Sequence, residues 1–194
     1  MHQLSNGDLV SDDANQTWEI RHERPEDSDL VEALVAKAFG PGRFAKSAYR
    51  LREGTAPDPR LSFVALETGI LRGSVRFWPI IVGDQPALLL GPLAVESGQR
   101  GRGIGIALMQ RGIAAASAVD YTCIILVGDE SYYSRVGFTR FPLARISFPG
   151  PVDRARILGL ALKPGSLESL SGLVSRAHID HAISADGARL GCAR

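Results

Sequence analysis

A chain of 194 residues, 45% hydrophobic and 22% charged, has the length and balance of one ordinary globular domain. Its formal net charge of +1 excludes a strong field for nucleic acid or for basic proteins. It holds no apolar stretch of about 18 residues, and residues 1–16 lack the basic start and apolar run of a signal peptide, so no membrane span is expected and the cytoplasm is the expected address.

Along the chain, residues 1–16 are polar, with Asp8, Asp12 and Asp13, and read as a disordered segment. Trp18-Glu19-Ile20 is a short first strand. Pro25, followed by Glu26, Asp27 and Asp29, starts a helix: proline fits the first turn and the acids face its positive end. Leu30, Val31, Leu34, Val35 and Ala38 recur at helical spacing, and Phe39-Gly40-Pro41-Gly42 stops the helix. A weaker helix is expected over 43–52, then a proline-bearing loop over 54–60. Residues 61–66 and 74–77 have strand character, and Pro79 marks an edge or a bend because it cannot donate to a ladder. Gly83-Asp84-Gln85-Pro86 is a turn. Residues 87–95 are apolar at nearly every position, as in a strand covered on both faces. Gly91-Pro92 interrupts that run and marks a bulge or a close backbone neighbour.

Next comes Gln99-Arg100-Gly101-Arg102-Gly103-Ile104-Gly105, which opens a helix. In it Ile106, Met109, Ile113 and Ala116 share a face, while Gln110 and Arg111 face water. Strand, glycine turn and helix together make a main-chain anion site. Alternate glycines let the backbone approach a ligand and take positive φ. The helix aims unpaired N–H groups and its positive dipole end at the same point, where a phosphate or pyrophosphate fits. Arg100 and Arg102 add charge to that site or are solvated loop charges. No Lys-Ser or Lys-Thr follows, so this is not a Walker loop. Ile106 or Leu108 stands where a dinucleotide fingerprint needs its third glycine.

Residues 121–127 form a further strand around Cys123, a small buried hydrophobe, and lead into Gly128-Asp129-Glu130-Ser131-Tyr132-Tyr133-Ser134-Arg135-Val136-Gly137-Phe138. Beyond Phe141 the chain is punctuated by Pro142, Pro149, Pro151 and Pro164. Residues 155–162 are a candidate strand, and 166–174, with the stretch to 183, a helix or a final hairpin. The two cysteines, Cys123 and Cys192, fit a reducing compartment, and no Cys-x-x-Cys or His-x-x-His spacing suggests a metal. His2, His22, His178 and His181 have no partner at an informative spacing.

Two motifs stand in an informative order. Arg-x-x-Gly-x-Gly spans Arg100 to Gly105, and Tyr133 lies four residues before Gly137-Phe138. In this the sequence resembles the GCN5-related N-acetyltransferase (GNAT) superfamily over residues 17–142, and Gly-Asp-x-x-Tyr-Tyr-x-Arg-x-Gly-Phe is similar to one bacterial branch of it. The resemblance implies an α/β (α+β) fold: a mixed, mostly antiparallel twisted sheet with flanking helices, its central strand bulged at Gly91-Pro92 and splayed from its neighbour. It implies an acetyltransferase core over 17–142, with 143–194 completing the same domain.

It also implies acetyl-CoA, or another acyl-CoA, as co-substrate, with no metal. Leu93, Ala94 and Val95 would pair with the pantetheine arm, and Arg100, Gly101, Arg102, Gly103, Ile104 and Gly105 would hold the diphosphate. The implied activity is transfer of an acetyl or short acyl group to a primary amine, on a small molecule or a peptide, by direct attack. Tyr133 would protonate the leaving thiolate, since a phenol of pKa about 10 carries its proton at neutral pH. The alternative for Tyr133 is packing beside Phe138. Tyr132 is expected to face another way, as core or substrate wall, and Arg135 adds charge to the coenzyme or only solvates the surface.

Glu96, Asp129 and Glu130 are options for a general base, each equally readable as a surface or capping carboxylate. Many members carry an asparagine and an alanine before the tyrosine, where this chain has Val127-Gly128-Asp129-Glu130-Ser131. The substrate-facing loop, 40–60, holds Arg43, Lys46, Arg50 and Arg52, which attract an acidic substrate or form a solvated helix face. Two rival readings stand beside the enzyme: a non-catalytic acyl-CoA-binding sensor or partner module, and a nucleotide-binding protein using the glycine turn. A homodimer is compatible with each.

Overall fold

The computed structural model describes residues 17–41, 47–141 and 145–177. The strands are β1 (Trp18–His22), β2 (Phe63–Glu67), β3 (Ile70–Val82), β4 (Gln85–Val95), β5 (Cys123–Val127), β6 (Thr139–Arg140), β7 (Ile146–Ser147), β8 (Ile157–Ala161) and β9 (Gly172–Arg176). The helices are α1 (Ser28–Phe39), α2 (Ser47–Arg50), α3 (Ile104–Ala118) and α4 (Glu130–Tyr133). The strands run in the order β1-β2-β3-β4-β5-β8-β6, with β9 against both β3 and β7. Every pair is antiparallel except β4 with β5 and β7 with β9. This is the mixed, mostly antiparallel sheet with flanking helices that the family resemblance implies.

The pattern of β4 explains why it is central. Leu88 and Leu90 join Phe63, Phe77 and Ile124 in one cluster under α3, while Ala87 and Leu89 join Trp78, Ile80 and Ile125 in the other. Alternate residues thus serve opposite cores, and a strand buried on both faces reads as a continuous apolar run. β3 continues through Pro79 to Val82. On the side away from β4 it pairs with β2 up to Val75 and with β9 from Ile80, so Pro79 falls in the gap between the two partners, where no donor is needed.

Three expectations shift. In α1 the buried stripe is centred on Val31 and Val35, and Leu30, one residue and about 100° away on the helix, is 59% exposed. In α3 the buried face is Ile104, Gly105, Leu108, Met109, Gly112 and Ala116, not the one through Ile106 and Ile113. The Phe77 ring causes this: it fills the place of a side chain at Gly112, where a Cβ would come within 2.3 Å of Cε2. Over 166–177 the chain makes turns and then a strand that pairs with β3 and β7, neither a helix nor a hairpin with β8. Of the weaker second helix expected over 43–52, α2 is the described part. Residues 1–16, 42–46, 142–144 and 178–194, which include His178, His181 and Cys192, lie outside the described residues.

Candidate active site

β4 and β5 pair at Leu88 with Ile124 and Leu89 with Ile125, and nowhere beyond. Past that point β4 keeps β3 and leaves β5. In the β3–β4 register Val75 faces Leu93 and Phe77 faces Leu90, so Gly91 and Pro92 together oppose Arg76. Two residues against one is a bulge, and it bends the strand. The split opens a cavity of about 1070 Å³ lined by residues 90–95 of β4, by residues 127–129, by α4 and by the first turn of α3.

At the α3 end the main chain forms the cradle. Gly101 and Gly103 sit in the left-handed region, at φ 84° and 82°. A Cβ at either would meet no atom within 4 Å, so the space over both is open to a ligand. Gly103 is the N-cap and no side chain caps the helix, which leaves the first-turn N–H groups of Ile104, Gly105 and Ile106 for an acceptor from outside. Arg100 lines this end and makes no ion pair among the described residues. Leu93, Ala94 and Val95 line the middle, with no strand on their β5 side among the described residues.

Arg102 departs from the expectation that its charge faces the ligand. It does not line the cavity; its guanidinium meets Glu67 at 2.8 Å, the Thr17 hydroxyl at 2.7 Å and the Gln99 side chain. The hydrogen bonds from Arg102 and Thr17 pull the Glu67 carboxyl down to about 2. Arg72 ties Glu67 at 3.3 Å to Glu96 at 2.6 Å. The side chain of Arg102 therefore braces the loop from behind.

Tyr132 and Tyr133 line the same cavity, their rings edge-to-face with centroids 5.3 Å apart. Tyr133 packs on Gly128, where a Cβ would come within 2.2 Å of its ring, and on Phe138, 6.1 Å away. Burial pushes its hydroxyl up to about 12, with the neighbouring Tyr132 and Asp129 adding to the shift. It therefore holds its proton across the neutral range. Tyr132 shares this cavity with Tyr133 rather than facing another way, and it is core and wall as expected: it packs on the cluster under α3, its hydroxyl against Gly105, where a Cβ would come within 2.3 Å. Burial raises its pKa too, against the pull of Arg135, whose guanidinium lies 6.0 Å from the Tyr132 ring.

Of the candidate bases, Asp129 alone lines the cavity; Arg156 meets it at 3.2 Å. Glu96 is taken by Arg72, and Glu130 by Arg140 at 2.6 Å. The far end of the cavity brings in residues that periodicity concealed. Glu32 lies on α1 between two core valines, and Arg76 and Trp78 sit within an apolar strand. For Glu32 and Arg76 the signal was a charged side chain interrupting a core element; Trp78 gave none. Arg76 is buried between Glu23 and Glu32, each at 2.5 Å. Burial works against its charge, but these partners outweigh it and hold its pKa above the ordinary value. Among the described residues no group of three or more His, Cys, Asp or Glu could hold a metal ion, and no described helix is long and apolar enough to cross a membrane.

The acetyltransferase (GNAT) family profile matches residues 27–138. The chain belongs to this family. The uncharacterized N-acetyltransferase YhbS of Escherichia coli (strain K12) is 31% identical over 160 residues, 80% of this chain and 93% of the relative. A crystal structure of the GNAT family YhbS from Escherichia coli in complex with CoA has a TM-score of 0.70 at 29% identity, covering 85% of this chain and 92% of that one. A GNAT family acetyltransferase from Brucella melitensis in complex with acetyl-CoA has a TM-score of 0.63 at 28% identity, covering 84% and 96%.

Proposed function

We propose that this chain transfers an acetyl, or short acyl, group from coenzyme A to a primary amine by direct attack. The observation that carries the reading is the parting of β4 from β5 after Leu89 and Ile125, beside an uncapped α3. The main chain of Leu93, Ala94 and Val95 binds the pantetheine arm as a missing strand would. The N–H groups at Gly101, Arg102, Gly103, Ile104 and Gly105, with the Arg100 guanidinium, hold the diphosphate. The CoA and acetyl-CoA complexes of the YhbS and Brucella melitensis proteins support that assignment.

When bound, the coenzyme supplies an acetyl thioester whose carbonyl carbon takes the amine lone pair as the C–S bond breaks. Holding the two reactants together is worth up to roughly 7–11 kcal/mol of the barrier. Tyr133 gives the departing sulfur its proton, which its raised pKa keeps in place. The proton lost by the amine has Asp129 and Glu32 as acceptors at the cavity wall.

The test pairs binding with turnover. Coenzyme A should raise the melting temperature where ATP and NAD do not, and acetyl-CoA with a panel of amines should release free thiol. Coenzyme binding with no thiol release on any amine would favour the acyl-CoA sensor. Stabilisation by ATP or NAD alone would return the glycine turn to nucleotide binding.

A further inference from the structure

The end of the cavity farthest from α3 holds a cation that the mechanism does not use. Arg52 lines this end beside Tyr49, Glu32, Arg76 and Trp78. Its Nε donates to the Ala48 carbonyl at 2.9 Å, and its guanidinium lies 5.7 Å from the centre of the Tyr49 ring. These contacts fix the stem and one edge of the fork. The terminal nitrogens make no ion pair among the described residues. The nearby carboxylate, Glu32, gives its Oε1 to Arg76 instead. Burial lowers the Arg52 pKa to about 10, with Arg76 pushing the same way and Tyr49 and Glu32 opposing. A half-buried guanidinium without its own carboxylate keeps its terminal donors for an anionic partner. The same wall carries the Trp78 indole N–H, buried and without a partner among the described residues.

This cluster is set apart from the diphosphate cradle. Trp78 is in register with Leu89, and Arg76 with the Gly91-Pro92 bulge, while the cradle follows Val95. At about 3.3 Å per residue, the strand between Leu89 and Val95 spans on the order of 20 Å. The coenzyme's diphosphate has Arg100 at the other end, so Arg52 faces the acceptor. Planar guanidinium forks match carboxylate and phosphate oxygens two by two.

Resting on the acetyltransferase reading, we propose that Arg52 receives an oxyanion on the acceptor: the substrate is an amine that also carries a carboxylate or a phosphate. A plain polyamine or an uncharged amine would leave the guanidinium unmatched.

The test sets each anionic amine against its uncharged twin. Amino acids of graded length are compared with their carboxamides, and phosphoethanolamine with ethanolamine, by thiol release from acetyl-CoA. The carboxamide's less basic amine is the readier nucleophile near neutral pH, so a preference for the acid runs against intrinsic reactivity. Expected is at least a tenfold preference in kcat/KM for one anionic set, the set naming carboxylate or phosphate as the group. In Arg52→Met that ratio should fall towards one, and Arg52→Lys should keep part of it, while calorimetry finds the coenzyme affinity unchanged in both. A wild-type preference for the neutral twins, or a preference that survives Arg52→Met, overturns the proposal. So does the absence of turnover on every anionic amine; coenzyme binding that persists in that case leaves the coenzyme reading standing, and its loss removes both.

Discussion

The two halves of β4 differ in one respect that decides what each does. From Gln85 to Leu90 the strand has β3 on one side, and Leu88 and Leu89 also have β5 on the other. From Gly91 to Val95 it has β3 alone among the described residues, and its free side forms the wall of the cavity. The closed half stores stability and the open half offers hydrogen-bonding main chain. Losing a neighbour, not gaining a side chain, turns a core strand into a binding surface. Changes in the open half should therefore alter ligand binding or rate at nearly constant stability, and changes in the closed half should do the reverse.

The largest effect should come from Tyr133→Phe, with a fall in kcat of about 100-fold or more and coenzyme affinity nearly kept. Unchanged turnover would remove Tyr133 from the mechanism. Because burial holds the hydroxyl up to about 12, the protonated, active form persists as pH rises through the neutral and mildly alkaline range. The ratio of wild-type to variant kcat should accordingly stay flat there; a ratio that falls around the ordinary tyrosine pKa would contradict this environment. In the closed half, Ile124→Ala removes a fully buried side chain that meets Leu88. Denaturant unfolding should register a loss of about 2–5 kcal/mol, with unaltered coenzyme affinity in the folded fraction.

Gly103→Val comes next. Its φ of 82° is strained for a branched residue, and the new atoms would enter the open space above the cradle. Titration should find coenzyme A bound at least about tenfold more weakly, a cost of about 1.4 kcal/mol; retained affinity would move the diphosphate elsewhere. The smallest effect is expected from Glu67→Gln. Arg102 would lose its brace, and coenzyme binding should weaken slightly and become more sensitive to salt. A loss as large as that of Gly103→Val would make Arg102 a direct ligand.

Features set by backbone chemistry were legible from the sequence. The glycine pair at Gly101 and Gly103 takes positive φ, the break at Gly91-Pro92 is a bulge, one of the two readings it allowed, and the apolar run of β4 is a strand buried on both faces. Features set by long side chains were not. Arg102 and Arg100 are two residues apart in one loop, yet one turns to Glu67 and the other to the cavity, and nothing local distinguishes them. Tyr132 is the core and wall residue expected, but its approach to α3 was not legible because it depends on Gly105, 27 positions earlier. Glu32 on α1 and Arg76 on β3 meet through the tertiary fold, a contact between residues 44 positions apart. The last strand was misread because β9 pairs far back with β3, and no hairpin signal announces such a partner.

That last strand has a mechanical consequence. Along the main path, two rungs, Leu88 with Ile124 and Leu89 with Ile125, join β1–β4 to β5, β8 and β6. A joint this narrow would rock if it stood alone. β9 returns to clasp Ile80, Ile81 and Val82 from the other side of β3 and carries β7 with it. The chain thus tethers its second half to its first at two separated points, as a strap keeps a hinge from swinging. The same strand also reaches the cavity wall, where Arg176 donates to the Glu53 carbonyl at 2.7 Å, one residue from Arg52.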